Sequence, residues 1–312
     1  MIKLNGNIVS FEKFPNNESF ADMKMDYQPF EKDNVIVFKF ESDEEIFYLS
    51  CVKDFVDTNW PDKPCHLEMP YIPYSRMDRQ EEKRLFTLKT FAKIINSMNF
   101  SSVTVMEPHS EVSVALIDRV KVVNKSAELA LEAMRDVLGL MGSAWFQPSY
   151  GYNEKVSKLS FNLEGLLGLA EIEGVYLVYP DAGAEKRYRK QIKYSKVLTC
   201  CKDRDFNTGK INSIIVNGAD KAQDCKIAII VDDLSSRGGT FSGSAAELRK
   251  VLPNLETVIL CVTHCENTIY SGTVLSGKDI DKVYTTNSII IEPSFTEVTD
   301  FDKNKLVVKK VI

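Results

Sequence analysis

Four short runs of β-branched and aliphatic residues break off at polar clusters: Val103-Thr-Val-Met-Glu-Pro-His109, Val175-Tyr-Leu-Val-Tyr-Pro-Asp181, Ile227-Ala-Ile-Ile-Val-Asp-Asp233 and Val258-Ile-Leu-Cys-Val-Thr-His264. Runs this apolar and this short predict parallel strands buried on both faces. Between them apolar residues recur at helical spacing. Leu85, Leu88, Phe91, Ile95 and Met98 stand three or four positions apart and predict a helix with one buried face. Alternating strands and helices imply an α/β fold in which a mainly parallel sheet is flanked by helices. The pattern restarts after Val122-Val123-Asn124, where Ser126-Ala-Glu-Leu opens another helix, so the expected domains are 1–122 and 123–312. Ligands of open α/β sheets bind beyond the carboxyl ends of the strands, and here all four runs end in Glu, His or Asp.

With 312 residues, 44% hydrophobic and 27% charged, the chain is long and apolar enough for about two packed domains. Its net charge of -5 arises from interspersed signs, and no basic stripe follows a phosphodiester backbone, which argues against a nucleic-acid partner. The opening Met1-Ile-Lys-Leu-Asn is no signal peptide, and no apolar run reaches membrane-spanning length. The expectation is a cytoplasmic protein with no membrane partner. Seven cysteines, an odd number, suit reduced core residues better than a disulfide framework. Cys261-Val-Thr-His264-Cys265 contains zinc-ligand types, but buried thiols and a polar His at a strand end account for it better.

The strongest local signal is Val231-Asp232-Asp233-Leu-Ser235-Ser236-Arg237-Gly238-Gly239-Thr240, placed after a strand and before the helical stretch Ser244 to Leu252. Glycines let backbone wrap an anion, and a helix N-terminus offers unpaired N–H groups and a positive dipole end. The two carboxylates just upstream repel phosphate but accept hydrogen bonds from a vicinal diol. A phosphate cradle beside two diol acceptors suggests a ribose 5-phosphate group.

This segment resembles the type I phosphoribosyltransferase motif, and alone it also fits a base-transferring enzyme. Further segments narrow it: Tyr71-Ile-Pro-Tyr74-Ser-Arg76-Met77-Asp78-Arg79, Glu107-Pro-His109-Ser, Pro180-Asp181-Ala-Gly183-Ala-Glu-Lys-Arg187, and Thr263-His264 followed by Tyr270-Ser-Gly272. In this order, from Phe14 to Gly272, the chain resembles the ribose-phosphate pyrophosphokinases. The resemblance implies two tandem type I phosphoribosyltransferase-like domains, ATP as co-substrate, and Mg²⁺. It assigns ATP binding to Phe14, Asn16, Glu18, Arg76, Asp78 and His109, and metal binding to His109 and Asp181. Ribose phosphate falls to Asp232, Asp233, Ser235, Ser236, Arg237, Gly238, Gly239 and Thr240. Lys202 and Arg204 match the family's Lys-x-Arg on a catalytic loop and, with Arg76 and His109, form the expected catalytic set. The Phe14 to Glu18 element resembles one that approaches adenine from a neighbouring subunit, which implies a homo-oligomer with its ATP site at a subunit interface.

The chain departs from the family in four places. Met77 stands where Gln is usual, and Ser236-Arg237 replaces Asp-Thr, exchanging a negative for a positive charge beside the 5-phosphate. A longer stretch, about 139–174, carries Trp145, Phe146, Tyr150, Tyr152 and Phe161, and aromatic faces stack purines. The segments before Phe14 and after Gly272 are shorter. The loop charge and the aromatic stretch together suggest a second acceptor, ADP-ribose, whose 5-phosphate is part of a diphosphate and whose product would serve NAD resynthesis. A non-catalytic regulatory homologue and a base-transferring phosphoribosyltransferase are the further alternatives.

Overall fold

A computed structural model of the chain describes residues 1–23, 32–137, 172–204, 211–291 and 303–312. The chain divides into two compact units: Met1–Lys125 with Asn287–Ile290 and Lys310–Ile312, and Ser126–Thr286 with Ile291–Lys309.

The first unit contains β1 (Ile2–Leu4), β2 (Asn7–Val9), β3 (Glu12–Lys13), β4 (Ser19–Phe20), β5 (Asn34–Phe38), α1 (Glu44–Asn59), β6 (Cys65–Met69), α2 (Thr87–Ser97), β7 (Ser102–Met106), α3 (Glu111–Leu116) and β8 (Val120–Val123). Its main sheet has the order β2-β1-β5-β6-β7-β8. Strands β5 to β8 run parallel, and the β1-β2 hairpin adds an antiparallel edge. That hairpin turns on Asn5 and Gly6, both at positive φ, as a two-residue turn requires. Strands β5 and β6 alternate buried and half-buried positions. Ile36, Phe38, Leu67 and Met69 pack in one core with Leu49, Val52 and Val56 of α1 and Leu88, Phe91 and Ile95 of α2. Leu85, expected on the buried face of α2, is 80% exposed because it precedes the helix, in the turn bridged by Glu81 and Arg84. Two short tail segments complete this unit: Lys39 Nζ donates to the Ile290 carbonyl at 3.0 Å, and Asn287 Oδ1 accepts from the Val311 amide at 2.7 Å.

The second unit contains α4 (Ser126–Val137), β9 (Val175–Tyr179), α5 (Ala182–Tyr188), β10 (Val197–Arg204), β11 (Ile211–Asn217), β12 (Ile227–Ser235), α6 (Gly239–Val251), β13 (Thr257–Cys265), the single turn α7 (Thr273–Ser276), β14 (Lys282–Thr286) and β15 (Leu306–Lys309). The sheet order is β11-β10-β9-β12-β13-β14-β15, parallel except for β11. Strands β9, β12 and β13 are buried on both faces, which explains their unbroken apolar runs. Leu177, Ile229 and Ile259, each fully buried, contribute about 1.5–3 kcal/mol apiece. On one face they pack with Leu129, Ala130 and Ala133 of α4 and with Tyr188 of α5. From β9 the chain moves one way to β10, whereas β12 starts the run in the other direction. The β9/β12 boundary is therefore a topological switch point, where a crevice opens beyond the strand ends.

The fold is thus α/β, with two mainly parallel sheets accompanied by helices. The aromatic stretch near 139–174, with Trp145, Phe146, Tyr150, Tyr152 and Phe161, lies outside the described residues up to 171. None of the seven cysteines forms a disulfide, and burial pushes the Cys65, Cys225 and Cys265 thiols up to about 12.

Candidate active site

The switch point of the second unit carries the acid pair. Strand β12 continues past Asp232 and Asp233 to Ser235, because Leu234 and Ser235 still pair with His264 and Cys265 of β13. Asp232 is half-buried and Asp233 is 4% exposed. The Asp233 amide donates to Asp232 Oδ1 at 2.9 Å. Burial, and then the neighbouring charges of Asp233 and Asp181, hold the Asp232 carboxyl well above the usual carboxylate range. Asp233 has a cation: Arg187 Nη1, from the last turn of α5, lies 3.1 Å from its Oδ1. Burial opposes the Arg187 charge, but Asp233, Tyr188 and Asp232 together outweigh it and keep the guanidinium more firmly protonated than usual. A hydroxyl fixes the backbone below. Ser126 Oγ, at the start of α4, is 3.1 Å from the Asp232 carbonyl, 2.9 Å from Thr263 Oγ1 and 3.5 Å from the Tyr188 hydroxyl.

The turn after β12 is built by exclusion of side chains. Gly238 has φ +76°, and a Cβ there would stand 2.0 Å from Val274 Cγ2. A Cβ on Gly272 would stand 2.2 Å from the Arg237 carbonyl oxygen, which the Thr273 amide holds at 3.2 Å. Ser236 Oγ is braced 3.1 Å from Thr268 Oγ1. Gly239 differs: nothing lies within 4 Å of where its Cβ would be, so the turn is open on that side. The open side adjoins the first turn of α6, whose leading amides lack helical acceptors and attract an anion. Arg237 is exposed, and its side chain makes no hydrogen bond or ion pair among the described residues.

On the other side of the switch point, Asp181 follows β9 and caps α5, accepting from the Ala184 amide at 3.0 Å. Its charge reaches Asp232, so three carboxylates gather at the ends of β9 and β12. Lys202 and Arg204 belong to the last turn of β10 backbone, where Lys202 pairs with Ile214 and the register shifts between Asp203 and Arg204. Their side chains, and residues 205–210, lie outside the described residues.

In the first unit, the loops after the adjacent strands β6 and β7 carry Arg76, Asp78 and His109. The Met106 amide donates to the Pro70 carbonyl at 3.0 Å and ties the roots of the two loops. Glu107, 1% exposed, holds φ +37°, a left-handed conformation costing about 1–3 kcal/mol that persists only where surroundings enforce it. The surroundings are the Val123 carbonyl on its amide at 2.9 Å and the Lys125 amide on its Oε2 at 2.7 Å. This turn redirects the chain into Pro108 and half-buried His109. Tyr74 also sits left-handed, φ +62°, with its hydroxyl on Asp43 Oδ1 at 2.5 Å and its ring packed near Phe40 and Phe91. Arg76 then projects from a fixed base into solvent, and Asp78 is half-buried. Phe14, Asn16 and Glu18 occupy a different place, the turn of the β3-β4 hairpin. Phe14, 49% exposed, stacks on Phe20 at 4.3 Å. Beside it a concavity of about 510 Å³ is lined by Glu18, Glu44, Phe47 and Tyr48.

Compared with known proteins, the chain matches no protein-family model. It is 25% identical over 251 residues to the ribose-phosphate pyrophosphokinase of Sulfolobus acidocaldarius, covering 78% of this chain and 71% of that protein. Its structure aligns with phosphoribosylpyrophosphate synthetase from Mycobacterium smegmatis at a TM-score of 0.65 and 17% identity, over 97% of this chain and 86% of that one. The chain is thus similar in sequence and in fold to the ribose-phosphate pyrophosphokinases.

Three residues stand at the site to which the sequence reading gave no role. Arg187 pairs with the acid pair, Ser126 braces its backbone, and Gly272 makes room for the phosphate turn. All three lie in segments that the sequence marked, Arg187 after the Asp181 cap, Gly272 after Tyr270 and Ser126 at a helix start, but none carried a sign of these contacts. Among the described residues no three His, Cys, Asp or Glu side chains are grouped to hold a metal ion. A nucleotide-bound Mg²⁺ needs only one or two protein carboxylates, a demand that Asp181 suits by its chemistry. No helix of the described residues is long and apolar enough to cross a membrane.

Proposed function

We propose that the protein transfers the β,γ-diphosphoryl group of Mg-ATP to the anomeric hydroxyl of ribose 5-phosphate, giving phosphoribosyl diphosphate and AMP. One observation carries the reading: an acid pair at a strand end runs directly into a glycine-shaped turn that leads an open helix N-terminus. Asp232 and Asp233 accept hydrogen bonds from the ribose 2- and 3-hydroxyls. The amides of Gly238, Gly239 and Thr240, with the Ser235 and Ser236 hydroxyls, hold the 5-phosphate, and Arg237 adds charge. That grip leaves the anomeric oxygen pointing away from the turn. It attacks the β-phosphorus, the bond from that phosphorus to the α-phosphoryl bridging oxygen breaks, and AMP departs.

ATP is bound by Arg76, Asp78 and His109, with Arg76 forking onto phosphate oxygens. Phe14, Asn16 and Glu18 serve the adenine of a neighbouring copy in a homo-oligomer, a role that suits the exposure of Phe14. His109 serves the Mg²⁺ of Mg-ATP and Asp181 a second Mg²⁺, and each ion when bound would neutralise phosphate charge. Lys202 and Arg204 stabilise charge on the transferred group, and preorganised cations of this kind act more strongly in a water-poor site.

A second acceptor, ADP-ribose, is favoured by Arg237. Its exposed, uncommitted guanidinium stands at the turn where a diphosphate would bring one further charge. AMP release from Mg-ATP, measured with each acceptor in turn, tests both readings. AMP formed with ribose 5-phosphate supports the first, AMP formed only with ADP-ribose replaces it by the second, and AMP formed with neither ends both.

A further inference from the structure

We infer that Arg187 is the positioning residue of the acid pair: its guanidinium holds the Asp233 carboxylate in one orientation, so that Asp233 and Asp232 together meet the two hydroxyls of a single ribose. The inference rests on the reading of these aspartates as diol acceptors. Two adjacent carboxylates repel, and left alone they would rotate apart or take up a proton. A cation on one of them removes that tendency and fixes its plane.

The geometry suits this task. Nη1 of Arg187 is 3.1 Å from Asp233 Oδ1, and the Asp233 side chain is 6% exposed, so water competes little for the contact. The cation comes from a well-anchored element. Helix α5 is capped by Asp181 on the Ala184 amide, Ala184 and Tyr188 are buried in the core, and Thr199 Oγ1 donates to Glu185 Oε2 at 3.0 Å. The Tyr188 hydroxyl reaches Ser126, which also touches the Asp232 carbonyl. Side chain and backbone of the acid pair are therefore referenced to the same short helix. A guanidinium imposes a plane on a carboxylate, whereas an ammonium is a point charge, so lysine is expected to replace Arg187 only in part.

Full-length wild type, Arg187→Met, Arg187→Lys, Asp233→Asn and the double variant Arg187→Met/Asp233→Asn are compared by calorimetric titration with ribose 5-phosphate and with ADP-ribose, and by AMP-release kinetics. Arg187→Met is expected to weaken acceptor binding about tenfold while the ATP KM moves less than about twofold, with Arg187→Lys in between. The double variant is expected to bind no more than about twofold worse than the weaker single one, since both changes break one linkage. Unchanged acceptor affinity in Arg187→Met, multiplying losses in the double variant, or an equal rise in the ATP KM would each overturn the inference. Should Arg187→Met fail to fold, the Lys variant carries the same comparison. Wild type that binds an acceptor without releasing AMP removes the transfer reaction and leaves the positioning role intact; wild type that binds neither acceptor overturns both.

Discussion

Arg187 and Asp233 form an ion pair at 3.1 Å within the site, and the pairing treats two neighbouring carboxylates unequally. Asp233 has a guanidinium beside it. Asp232 has instead the Asp233 amide at 2.9 Å, and burial first, then the charges of Asp233 and Asp181, raise its pKa.

A raised carboxyl binds its proton more tightly in the folded state than in the unfolded one. Its contribution to stability is therefore full below the unfolded value and is lost as pH rises through the folded value. Asp232→Asn is expected to raise the thermal midpoint near neutral pH, with the gain fading towards about pH 4, where unfolded carboxylates also protonate. The same change weakens acceptor binding about 10- to 100-fold by removing a charged hydrogen-bond acceptor. Calorimetric melts across pH, paired with acceptor titration, check both parts.

The two glycines of the phosphate turn separate fold from function. Gly238→Ala places a Cβ 2.0 Å from Val274 Cγ2 at a left-handed φ, and is expected to cost about 2–4 kcal/mol in denaturant unfolding. Gly239→Ala meets nothing within 4 Å. It is expected to leave stability within about 0.5 kcal/mol while reducing acceptor phosphate affinity, because the new methyl occupies the open side of the turn.

Ser126→Ala removes a buried hydroxyl that sits between Thr263, the Asp232 carbonyl and Tyr188. A loss of about 1–3 kcal/mol in urea unfolding is expected, the cost of leaving buried partners unmatched.

The proposed acceptor choice is tested at Arg237. Arg237→Thr is expected to lower kcat/KM for ADP-ribose relative to ribose 5-phosphate by about tenfold, the scale of one charge-assisted hydrogen bond. A ratio that does not move would mean that the turn does not select by charge.

The central strands were legible because their chemistry is extreme. β9, β12 and β13 are buried on both faces, so their sequences are continuous apolar runs. β6 was not. Its Cys65-His-Leu-Glu-Met alternates, since His66 and Glu68 face a side that is only half-buried. Leu85 kept helical spacing with Leu88 although the helix begins at Thr87, and periodicity carries no marker for the first turn when no capping residue is present. The acid pair and the glycine turn after β12 are contiguous in sequence and so stand out together. The contacts of Arg187 and Ser126 with that pair join distant segments, and only folding brings them into register.

Lys39 anchors the Ile290 carbonyl, and Asn287 receives the Val311 amide, so the first unit is finished by residues from the far end of the polypeptide. The chain passes from one unit to the other four times, at 125/126, 286/287, 290/291 and 309/310. Cutting it once after Lys125 therefore yields no intact half: the leading fragment lacks its closing segments, and the trailing fragment carries pieces that have lost their host. The two units are interleaved along the chain, so neither corresponds to one continuous stretch of sequence.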